Sequence, residues 1–349
     1  MSSVLIIGAG PAGLAIATAL RNEGVDFDLI DREGQPGGAY MRMPECIMLG
    51  SSVQHISLPG FPLEASDEFV SARKYFSYLN DYARHFGIKP TQGEVTGFAK
   101  DNDRFRVTFA DEEMVEQHYR AVVVATGCFG QPRWPDIDGL PESEEKVLHS
   151  SQWPGAEVFN GKRVLVIGCA ISGVEMAEDC AQAGVEVIVS SRKGRVRTIS
   201  PNVFGRHFLD FVVWVERLPR WVFWPICRWG ARNPGIDQGY RDFQRRGLIT
   251  EVGGVERFNN FTAVLADGRE ETVDAIVCAT GYSHEVPFLP KEVALESGGH
   301  PAARRNESIN WPGLFFMGSP CARAVDSQYL RGMARDAPLL AQQIRKRLS

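Results

Sequence analysis

The sequence lacks several features that would place it in a common functional class. No apolar run approaches the roughly 18 residues that a membrane span requires. The seven cysteines include no Cys-x-x-Cys pair, and the seven histidines show no metal-ligand spacing, so we expect no metal site. No Gly-x-Ser-x-Gly motif supports a hydrolase triad. With 38 basic against 43 acidic residues and no nucleic-acid-binding motif, we expect no nucleic-acid partner.

The chain is long enough for two domains. It has 349 residues, of which 44% are hydrophobic and 23% charged, which is typical of a globular protein with a sizeable core. The N-terminus enters an apolar run at once, without the basic flank and cleavage site of a signal peptide. Together with the odd number of cysteines, this predicts a cytoplasmic protein with mostly buried free thiols.

The first glycine-rich turn comes directly after the apolar run Val4–Ile7. Gly8, Gly10 and Gly13 follow it, and a helical pattern begins at once. Such a strand, turn and helix bind a dinucleotide, because the glycines allow a tight turn, close approach of a pyrophosphate and close packing of helix on strand. A second predicted strand ends at Asp31, where a carboxylate can accept hydrogen bonds from a ribose.

The same pattern occurs a second time. The strand Lys162–Ile167 leads into Gly168-Cys169-Ala170-Ile171-Ser172-Gly173 and a helix, and a further strand ends at Val189. Each unit also contains a β-run that ends in Ala-Thr-Gly, at 125–127 and at 279–281. The sequence therefore predicts two like dinucleotide-binding domains.

With these motifs the chain resembles the two-dinucleotide-binding-domain flavoproteins, and among them the flavin-containing monooxygenases, including short bacterial members and plant YUCCA-type enzymes. Further motifs carry the resemblance, namely Gly37-Gly38-Ala39-Tyr40, 148–153, 190–194 and 267–282. The chain departs from the family at Ser143 and Glu145 in the linker, and at Ala170 and Ile171. The family has an asparagine in its catalytic pocket, and the matching position in this chain lies near Gly50-Ser51-Ser52. The catalytic residues are therefore not assigned. Gly50, Ser51, Ser52 and Ile171 are candidates for residues that line the pocket.

The resemblance implies an α/β fold with two Rossmann-like domains, the NADPH domain being inserted into the FAD domain. We expect an FAD domain at 1–150 plus 285–349 and an NAD(P)H domain at 151–284, with a helical, aromatic-rich insert at about 200–245. A last strand within 313–319 and a helix at 329–348 complete the first domain. The predicted FAD contacts are Gly8, Gly10, Pro11, Ala12, Gly13, Asp31, Arg32, Gly37, Gly38, Ala39, Tyr40, Val95, Ala125, Thr126, Gly127, Gly318 and Ser319. The predicted NADPH contacts are Gly168, Ala170, Ile171, Ser172, Gly173, Ser191, Arg192, Lys193, Ala279, Thr280, Gly281 and Tyr282.

The choice of NADPH over NADH also follows from the residues themselves. An NAD site carries an acidic residue after its second strand, whereas here Val189 is followed by Ser190-Ser191-Arg192-Lys193-Gly194-Arg195. Arginine gives a 2′-phosphate a planar, charged donor. The alternative is a solvated basic loop without a coenzyme role.

The segment 204–232 contains four of the seven tryptophans, with interleaved arginines. Three interpretations remain open for it. The segment packs as ordinary helices, forms an apolar lid or substrate funnel, or makes peripheral contact with a membrane.

Two enzyme classes and one non-enzymatic class remain. The first is an NADPH-dependent FAD monooxygenase that oxygenates a small or lipophilic substrate, a soft sulfur or nitrogen nucleophile or a ketone, with O₂ through a C4a-(hydro)peroxyflavin. The alternative is an NADPH-dependent FAD disulfide or flavin reductase related to thioredoxin reductase, without a Cys-x-x-Cys dithiol. A flavin-binding sensor would leave the second site unexplained. The substrate and the oligomeric state cannot be read from the sequence.

Overall fold

The structure is a computed structural model that describes residues 3–111, 117–200, 235–283 and 285–349, and a few positions between 201 and 234. Most of the aromatic segment 204–232 and most of the predicted insert at 200–245 lie outside the described residues. Within these residues the α-helices are α1 (Pro11–Asn22), α2 (Ala72–His85), α3 (Ile171–Gln182), α4 (Tyr240–Arg245) and α5 (Leu330–Leu348).

The strands follow in chain order. The first eight are β1 (Val4–Ile7), β2 (Phe27–Asp31), β3 (Thr91–Gln92), β4 (Val95–Asp101), β5 (Arg104–Phe109), β6 (Gln117–Tyr119), β7 (Ala121–Val124) and β8 (Gln131–Pro132). The next eight are β9 (Val147–His149), β10 (Arg163–Ile167), β11 (Glu186–Ser190), β12 (Thr198–Ile199), β13 (Asn202–Val203), β14 (Arg206–His207), β15 (Gly235–Ile236) and β16 (Ile249–Val252). The last eight are β17 (Val255–Asn259), β18 (Thr262–Leu265), β19 (Glu270–Thr272), β20 (Ala275–Cys278), β21 (Tyr282–Ser283), β22 (Ala303–Arg304), β23 (Glu307–Ser308) and β24 (Leu314–Phe316).

A seven-stranded sheet in the order β22-β23-β24-β7-β1-β2-β3 forms the first unit. Its strands from β24 to β3 are parallel, and β1 and β7 are buried along their whole length. Such continuous apolar strands are stable only where both faces of the sheet are covered. Helices α1, α2 and α5 pack on one face, and the antiparallel β4-β5-β6 sheet packs on the other.

The second unit repeats this arrangement with a five-stranded parallel sheet in the order β16-β11-β10-β20-β9. Helices α3 and α4 cover one face, and the antiparallel β17-β18-β19 sheet covers the other. All five strands fall between β7 and β24, so the second unit is inserted in the chain of the first. The predicted last strand and C-terminal helix are confirmed as β24 and α5.

The strand registers bring the predicted motifs to one edge of each sheet. Ile7 pairs with Ile30 and Val124, so the residues after β1, β2 and β7 emerge side by side. In the second unit Ile167 pairs with Ser190 and Cys278 in the same way. Ligands of open parallel sheets bind at this carboxyl edge.

Three tyrosines of α2 hold the segment that follows the second glycine pair of the first unit. Tyr75, Tyr78 and Tyr82 are buried, and their hydroxyls donate to backbone carbonyls at Ile56, Phe61 and Pro59 over 2.7–3.0 Å. Their spacing of three and four residues places them on one helix face. The segment that carries the pocket candidates 50–52 is therefore held on a helix of the first unit.

Among the described residues no helix combines the length and the apolar character that crossing a bilayer demands.

Candidate dinucleotide-binding and active site

The first glycine turn, residues 8–13, is too crowded for side chains at two of its three glycines. Gly8 has φ +104°, and a Cβ there would lie 2.7 Å from the carbonyl oxygen of Ala125. A Cβ at Gly13 would overlap the carbonyl oxygen of Gly8. Both glycines are therefore required by the packing of β1, α1 and the Ala-Thr-Gly turn at 125–127.

Gly10 is different, because it faces open space. A Cβ on Gly10 would meet only the Cα of Gly38, at 3.8 Å, and its φ of −74° suits any residue. Gly38 itself has φ +57° and approaches Gly10 closely, while the amide of Gly37 donates to the carbonyl of Ala9 at 3.0 Å. The two glycine motifs thus form one groove lined by backbone at the N-terminus of α1.

That groove fits a dinucleotide phosphate. A side chain at Gly10 would fill it, and α1 begins with Pro11 at its first turn, so the free amides and the positive end of the helix dipole point into it. The residues predicted for FAD therefore suit the group that the resemblance implies.

Asp31 fixes one end of this groove. Its carboxylate accepts hydrogen bonds from the backbone amides of Ala9, at 2.7 Å, and Glu33, at 2.9 Å. Each oxygen keeps a further lone pair for a ribose hydroxyl. Its neighbour Arg32 is exposed, and its guanidinium lies 3.6 Å from the Glu33 carboxylate. The sequence predicted the ribose role of Asp31 but not its part in holding the glycine turn.

The C-terminal part of the chain completes the first site. A Cβ on Gly318 would lie 3.3 Å from the Cβ of Ala12 and 3.5 Å from the Cε of Met333 on α5. The hydroxyl of Ser319 is buried and has no hydrogen-bond partner among the described residues. A buried hydroxyl of this kind is available to a ligand.

The other residues predicted to bind FAD lie at several positions in the first unit. Ala39 and Tyr40 form a short 3₁₀ turn with Gly38, and the Tyr40 ring meets Tyr75 edge-on with centroids 5.0 Å apart. Thr126 and Gly127 are exposed at the carboxyl edge. Val95 begins β4 and is buried in the core on the far face of the sheet.

The second glycine turn, residues 168–173, has the same geometry as the first. Gly168 has φ +117°, and a Cβ there would overlap the carbonyl oxygen of Ala279, while a Cβ at Gly173 would overlap that of Gly168. Ala170 precedes α3 with φ −86°, in the same way as Gly10 precedes α1. The methyl group of Ala170 therefore occupies the space that is empty beside Gly10 in the first turn. Ile171 and Ser172 form the first turn of α3 and are partly exposed.

The basic loop after β11 lies beside this turn. Ser191 is buried, and its hydroxyl donates to the carbonyl of Arg195 at 3.0 Å, which closes the loop. Arg192 and Lys193 are exposed, and within the described ranges neither side chain has a carboxylate partner. The charged side chains of Arg192 and Lys193 can therefore bind a phosphate group at the end of β11, where the phosphate on a coenzyme ribose would lie.

The second Ala-Thr-Gly turn, residues 279–281, is joined to the strand after the first one. β21, which includes Tyr282, pairs antiparallel with β8. Arg133 donates from its backbone amide to the carbonyl of Gly281 at 2.9 Å and from its guanidinium to that of Thr280 at 3.0 Å. The Thr280 hydroxyl donates to the carbonyl of Arg133. The two cofactor edges are therefore connected by paired strands.

His149 is fully buried at this junction. Its Nδ1 accepts from the backbone amide of Ser151 at 3.1 Å, so Nε2 carries the proton and donates to the carbonyl of Gly281 at 3.0 Å. Burial lowers the pKa of His149, which keeps the ring neutral. The geometry supports a hydrogen-bonding role for His149.

We expect His149→Asn to lower the free energy of unfolding by about 1–3 kcal/mol at pH 7.5, since the backbone amide of Ser151 and the carbonyl of Gly281, both partly buried, lose a partner. Because the folded-state pKa lies below the usual 6.5, the contribution of His149 is present above pH 6.5 and is lost as the pH falls. The difference between variant and wild type, measured by urea denaturation from pH 5 to 8, should therefore shrink in acid. A difference that stays constant with pH would show that His149 does not titrate with folding.

The pocket candidates lie between the two units. A Cβ on Gly50 would be 3.0 Å from the Cδ1 of Ile236 in the second unit. The hydroxyl of Ser51 accepts from the guanidinium of Arg331 at 3.3 Å. Ser52 is buried, and its hydroxyl has no partner within the part of the chain that the structure describes.

Two residues near these candidates could not be predicted from the sequence. The guanidinium of Arg331, in the first turn of α5, lies over the ring of Tyr329 at 4.0 Å and bonds to Ser51, which is 280 positions away in the chain. Glu175, on α3, is buried and faces the segment before Gly50. Neither residue belongs to a short motif, so no local signal could have indicated them.

Most cysteines are poor nucleophiles in this structure. Cys46, Cys128, Cys169, Cys180 and Cys278 are free, and burial raises the pKa of each thiol, for Cys128 to about 11. These five thiols are free as predicted, but only Cys180 and Cys278 are buried, whereas the other three are partly exposed. Cys321 differs, since it is buried and disulfide-bonded.

Several known proteins are similar to this chain in sequence or in fold. The probable indole-3-pyruvate monooxygenase YUCCA8 of Arabidopsis thaliana is 28% identical over 97% of this chain and 88% of its own. A flavin-containing monooxygenase from Stenotrophomonas maltophilia has 23% identity and a TM-score of 0.81, covering 100% of this chain and 99% of its own. Bacillithiol disulfide reductase from Bacillus cereus has 22% identity and a TM-score of 0.76, covering 99% of each chain.

These similarities confirm the predicted α/β fold and the resemblance to flavin monooxygenases of the YUCCA kind. The sequence profile of the family described as pyridine nucleotide-disulphide oxidoreductase matches residues 5–204. Because the match covers more than half of the residues and includes both glycine turns, the chain belongs to the pyridine nucleotide-disulphide oxidoreductase family.

Proposed function

We propose that this chain is an NADPH-dependent FAD monooxygenase that oxygenates a small or lipophilic organic substrate. The observation that carries the proposal is the pair of glycine turns with the same geometry in one chain, the first with Ala12 rather than a cysteine beside it. Two dinucleotide sites indicate electron transfer from one bound cofactor to another. The relatives named as monooxygenases favour oxygenation over disulfide reduction.

The two sites divide between two domains in this proposal. Residues 1–150 and 285–349 form the FAD domain, and residues 151–284 form the NADPH domain. The sheet pairings support this division, since β1, β2, β7 and β24 share one sheet while β10, β11, β16 and β20 share another. β9 (Val147–His149) falls within 1–150 but pairs in the second sheet, which favours a boundary just before this strand.

Bound FAD would accept a hydride from NADPH and activate O₂. The groove between Gly10 and Gly38 would hold its pyrophosphate, and Asp31 would bind its ribose. Arg192 and Lys193 would bind the 2′-phosphate of NADPH. The reaction consumes NADPH, a proton, O₂ and substrate, and yields NADP⁺, water and the oxygenated substrate.

The protonation of the thiols supports oxygenation. A disulfide reductase needs a thiolate close to the flavin, because the thiolate is the nucleophile. Cys128, which follows the first Ala-Thr-Gly turn, has its pKa raised to about 11 by burial, so it stays protonated near neutral pH. The fold alone does not separate the two activities, since a monooxygenase and a disulfide reductase both share it.

A turnover experiment with and without oxygen tests the proposal. In air, NADPH with a thioether or a cyclic ketone should give a sulfoxide or a lactone. Without substrate, NADPH should be consumed slowly and hydrogen peroxide released. Because Gly50 and Ile171 stand where the family has polar residues, we expect more peroxide per NADPH than in typical members. NADPH-dependent reduction of a disulfide without oxygen, and no product from any sulfide, amine or ketone in air, would contradict the proposal.

Disulfide or flavin reduction is the alternative, and one observation favours it. Cys321 is disulfide-bonded and lies two positions after Ser319 in the chain. Ser319 belongs to the first site, and its buried hydroxyl has no hydrogen-bond partner among the described residues. A disulfide that exchanges electrons with the flavin would take up a second pair of electrons. An anaerobic NADPH titration separates the alternatives, since a monooxygenase should consume one NADPH per flavin and a reductase two.

A further inference from the structure

The basic loop after β11, residues 191–197, is attached to the second unit near both of its ends. At its start, the amide of Ser191 donates to the carbonyl of Val252 at the end of β16, over 3.2 Å. Arg192 and Lys193, which are proposed to bind the 2′-phosphate, follow directly after this first attachment. The position of their backbone is therefore set on one side by β16.

The second attachment is a closed ring of hydrogen bonds around Val196. The Val196 amide donates to Oε2 of Glu251 at 3.1 Å, and Nη1 of Arg241 donates to Oε1 of the same carboxylate at 3.1 Å. Nη2 of Arg241 donates to the carbonyl of Val196, which closes the ring. Both polar backbone groups of Val196 are therefore held by one ion pair between α4 and β16.

This ion pair is shielded from water. Only 9% of the Glu251 side chain and 38% of the Arg241 side chain are exposed, and Val196 is buried. A buried carboxylate is retained where it is paired and hydrogen-bonded, and removing one partner of such a pair is costly. The ring around Val196 is therefore a stronger attachment than an exposed ion pair would be.

Arg241 uses its guanidinium for more than the ring. Its Nε donates to the hydroxyl of Thr198 at 3.3 Å, and its Nη1 also donates to the side chain of Gln244 at 2.9 Å. The Thr198 hydroxyl donates in turn to the carboxylate of Asp237 at 3.3 Å. A lysine would carry the same charge, but without the planar fork it could not reach these acceptors together. The arrangement therefore depends on arginine and not on charge alone.

We propose that Arg241 is a positioning residue that fixes the basic loop through Val196 and Glu251 and so sets the preference for NADPH over NADH. Arg192 and Lys193 lie between the two attachments, so holding both ends of the loop presents their side chains to a 2′-phosphate in one preorganised geometry. The effect on coenzyme choice rests on the proposed function, whereas the ring of hydrogen bonds does not.

Nucleotide binding to the full-length protein with bound FAD tests the proposal. The two probes are adenosine 2′,5′-bisphosphate and adenosine 5′-monophosphate, which lacks the 2′-phosphate, and calorimetry gives the Kd of each. In Arg241→Met, the Kd for the bisphosphate should rise about fivefold or more, since charge-assisted contacts to the phosphate are weakened. The Kd for the monophosphate should change by less than about twofold.

Arg241→Lys separates position from charge. It keeps the positive charge but loses the planar fork, so the Kd for the bisphosphate should rise about threefold or more. Wild-type affinity for the bisphosphate in this variant would show that charge alone acts, and would overturn the proposal. If Arg241→Met folds poorly, Arg241→Lys serves for all the measurements.

Arg246→Met is the matched control on the same helix. Arg246 is exposed, and its guanidinium donates to the carboxylate of Asp242, also on α4, at 3.5 Å. This variant should bind both nucleotides as the wild type does. A rise in the Kd for the bisphosphate as large as that in Arg241→Met would show that any positive charge on α4 has this effect, and would contradict a positioning role.

Hydrogen exchange measures the ring without any nucleotide. The protection factor of the Val196 amide should fall about tenfold in both Arg241 variants and stay unchanged in Arg246→Met, because the ring holds this backbone. Unchanged exchange at Val196 in the Arg241 variants would overturn the positioning role. If the wild type binds the two nucleotides equally while exchange at Val196 responds as expected, the NADPH site of the proposed function fails and the attachment of the loop by Arg241 stands.

Discussion

Gly10→Val should give a folded protein that no longer binds FAD. A Cβ at Gly10 meets no atom closer than the Cα of Gly38 at 3.8 Å, and the backbone there is in an ordinary extended conformation, so the protein has room for a Cβ at this position. The valine would instead occupy the groove at the N-terminus of α1, where the pyrophosphate must approach the backbone. We expect the flavin content, measured from visible absorbance after purification, to fall from near one per chain to below a tenth.

Gly13→Val is the control for this experiment. Its Cβ would overlap the carbonyl oxygen of Gly8, so we expect poor folding rather than selective loss of flavin. The circular dichroism spectrum and the unfolding midpoint of Gly10→Val should remain close to those of the wild type measured without cofactor. Full FAD occupancy in a folded Gly10→Val protein would show that the first site is wrongly assigned.

The double variant Arg192→Gln with Lys193→Gln should lose its preference for NADPH. Both side chains are exposed at the end of β11, and only the 2′-phosphate distinguishes NADPH from NADH. A charge-assisted hydrogen bond contributes about 1.5–3 kcal/mol, so we expect the KM for NADPH to rise tenfold or more. The KM for NADH should change little in steady-state assays of the same preparation.

Arg197→Gln is the matched control in the same basic stretch. Arg197 is exposed like Arg192 but follows the closing bond between Ser191 and Arg195. It should leave the ratio of the two KM values within about twofold, since a change of this size corresponds to less than ~0.5 kcal/mol. Equal effects of the double variant on NADPH and NADH would show that the loop only shapes the site.

The sequence predicted those parts of the fold that depend on local patterns. Gly8 and Gly13 could be identified because their roles are set within one strand, turn and helix, and the same holds for Gly168 and Gly173. The strand ends that meet at one edge follow from the parallel order of short apolar runs. Asp31 was recognised from its place at the end of β2.

Contacts between distant segments could not be predicted in this way. The hydrogen bond between Ser51 and Arg331 joins a loop of the first unit to α5. Glu175 on α3 is buried in a region where the segment 46–50 packs, and no helical pattern indicates this packing. Val95, which is predicted at the cofactor, is buried at the start of β4 among core residues of the first unit. Such placements depend on tertiary packing, which a periodic pattern does not encode.

The pairing of β8 with β21 has a consequence for the order of folding. During synthesis, β7 emerges long before β24, so the first sheet keeps an open edge until the inserted unit has been made. The five strands of the inserted unit all lie between these two, so it can close its own sheet first. β8 precedes the inserted unit and β21 follows it, and the two strands pair about 4.8 Å apart. The two ends of the inserted unit therefore lie side by side. The folded insert thereby shortens the loop that must close when β24 joins β7 and lowers the entropy cost of that step.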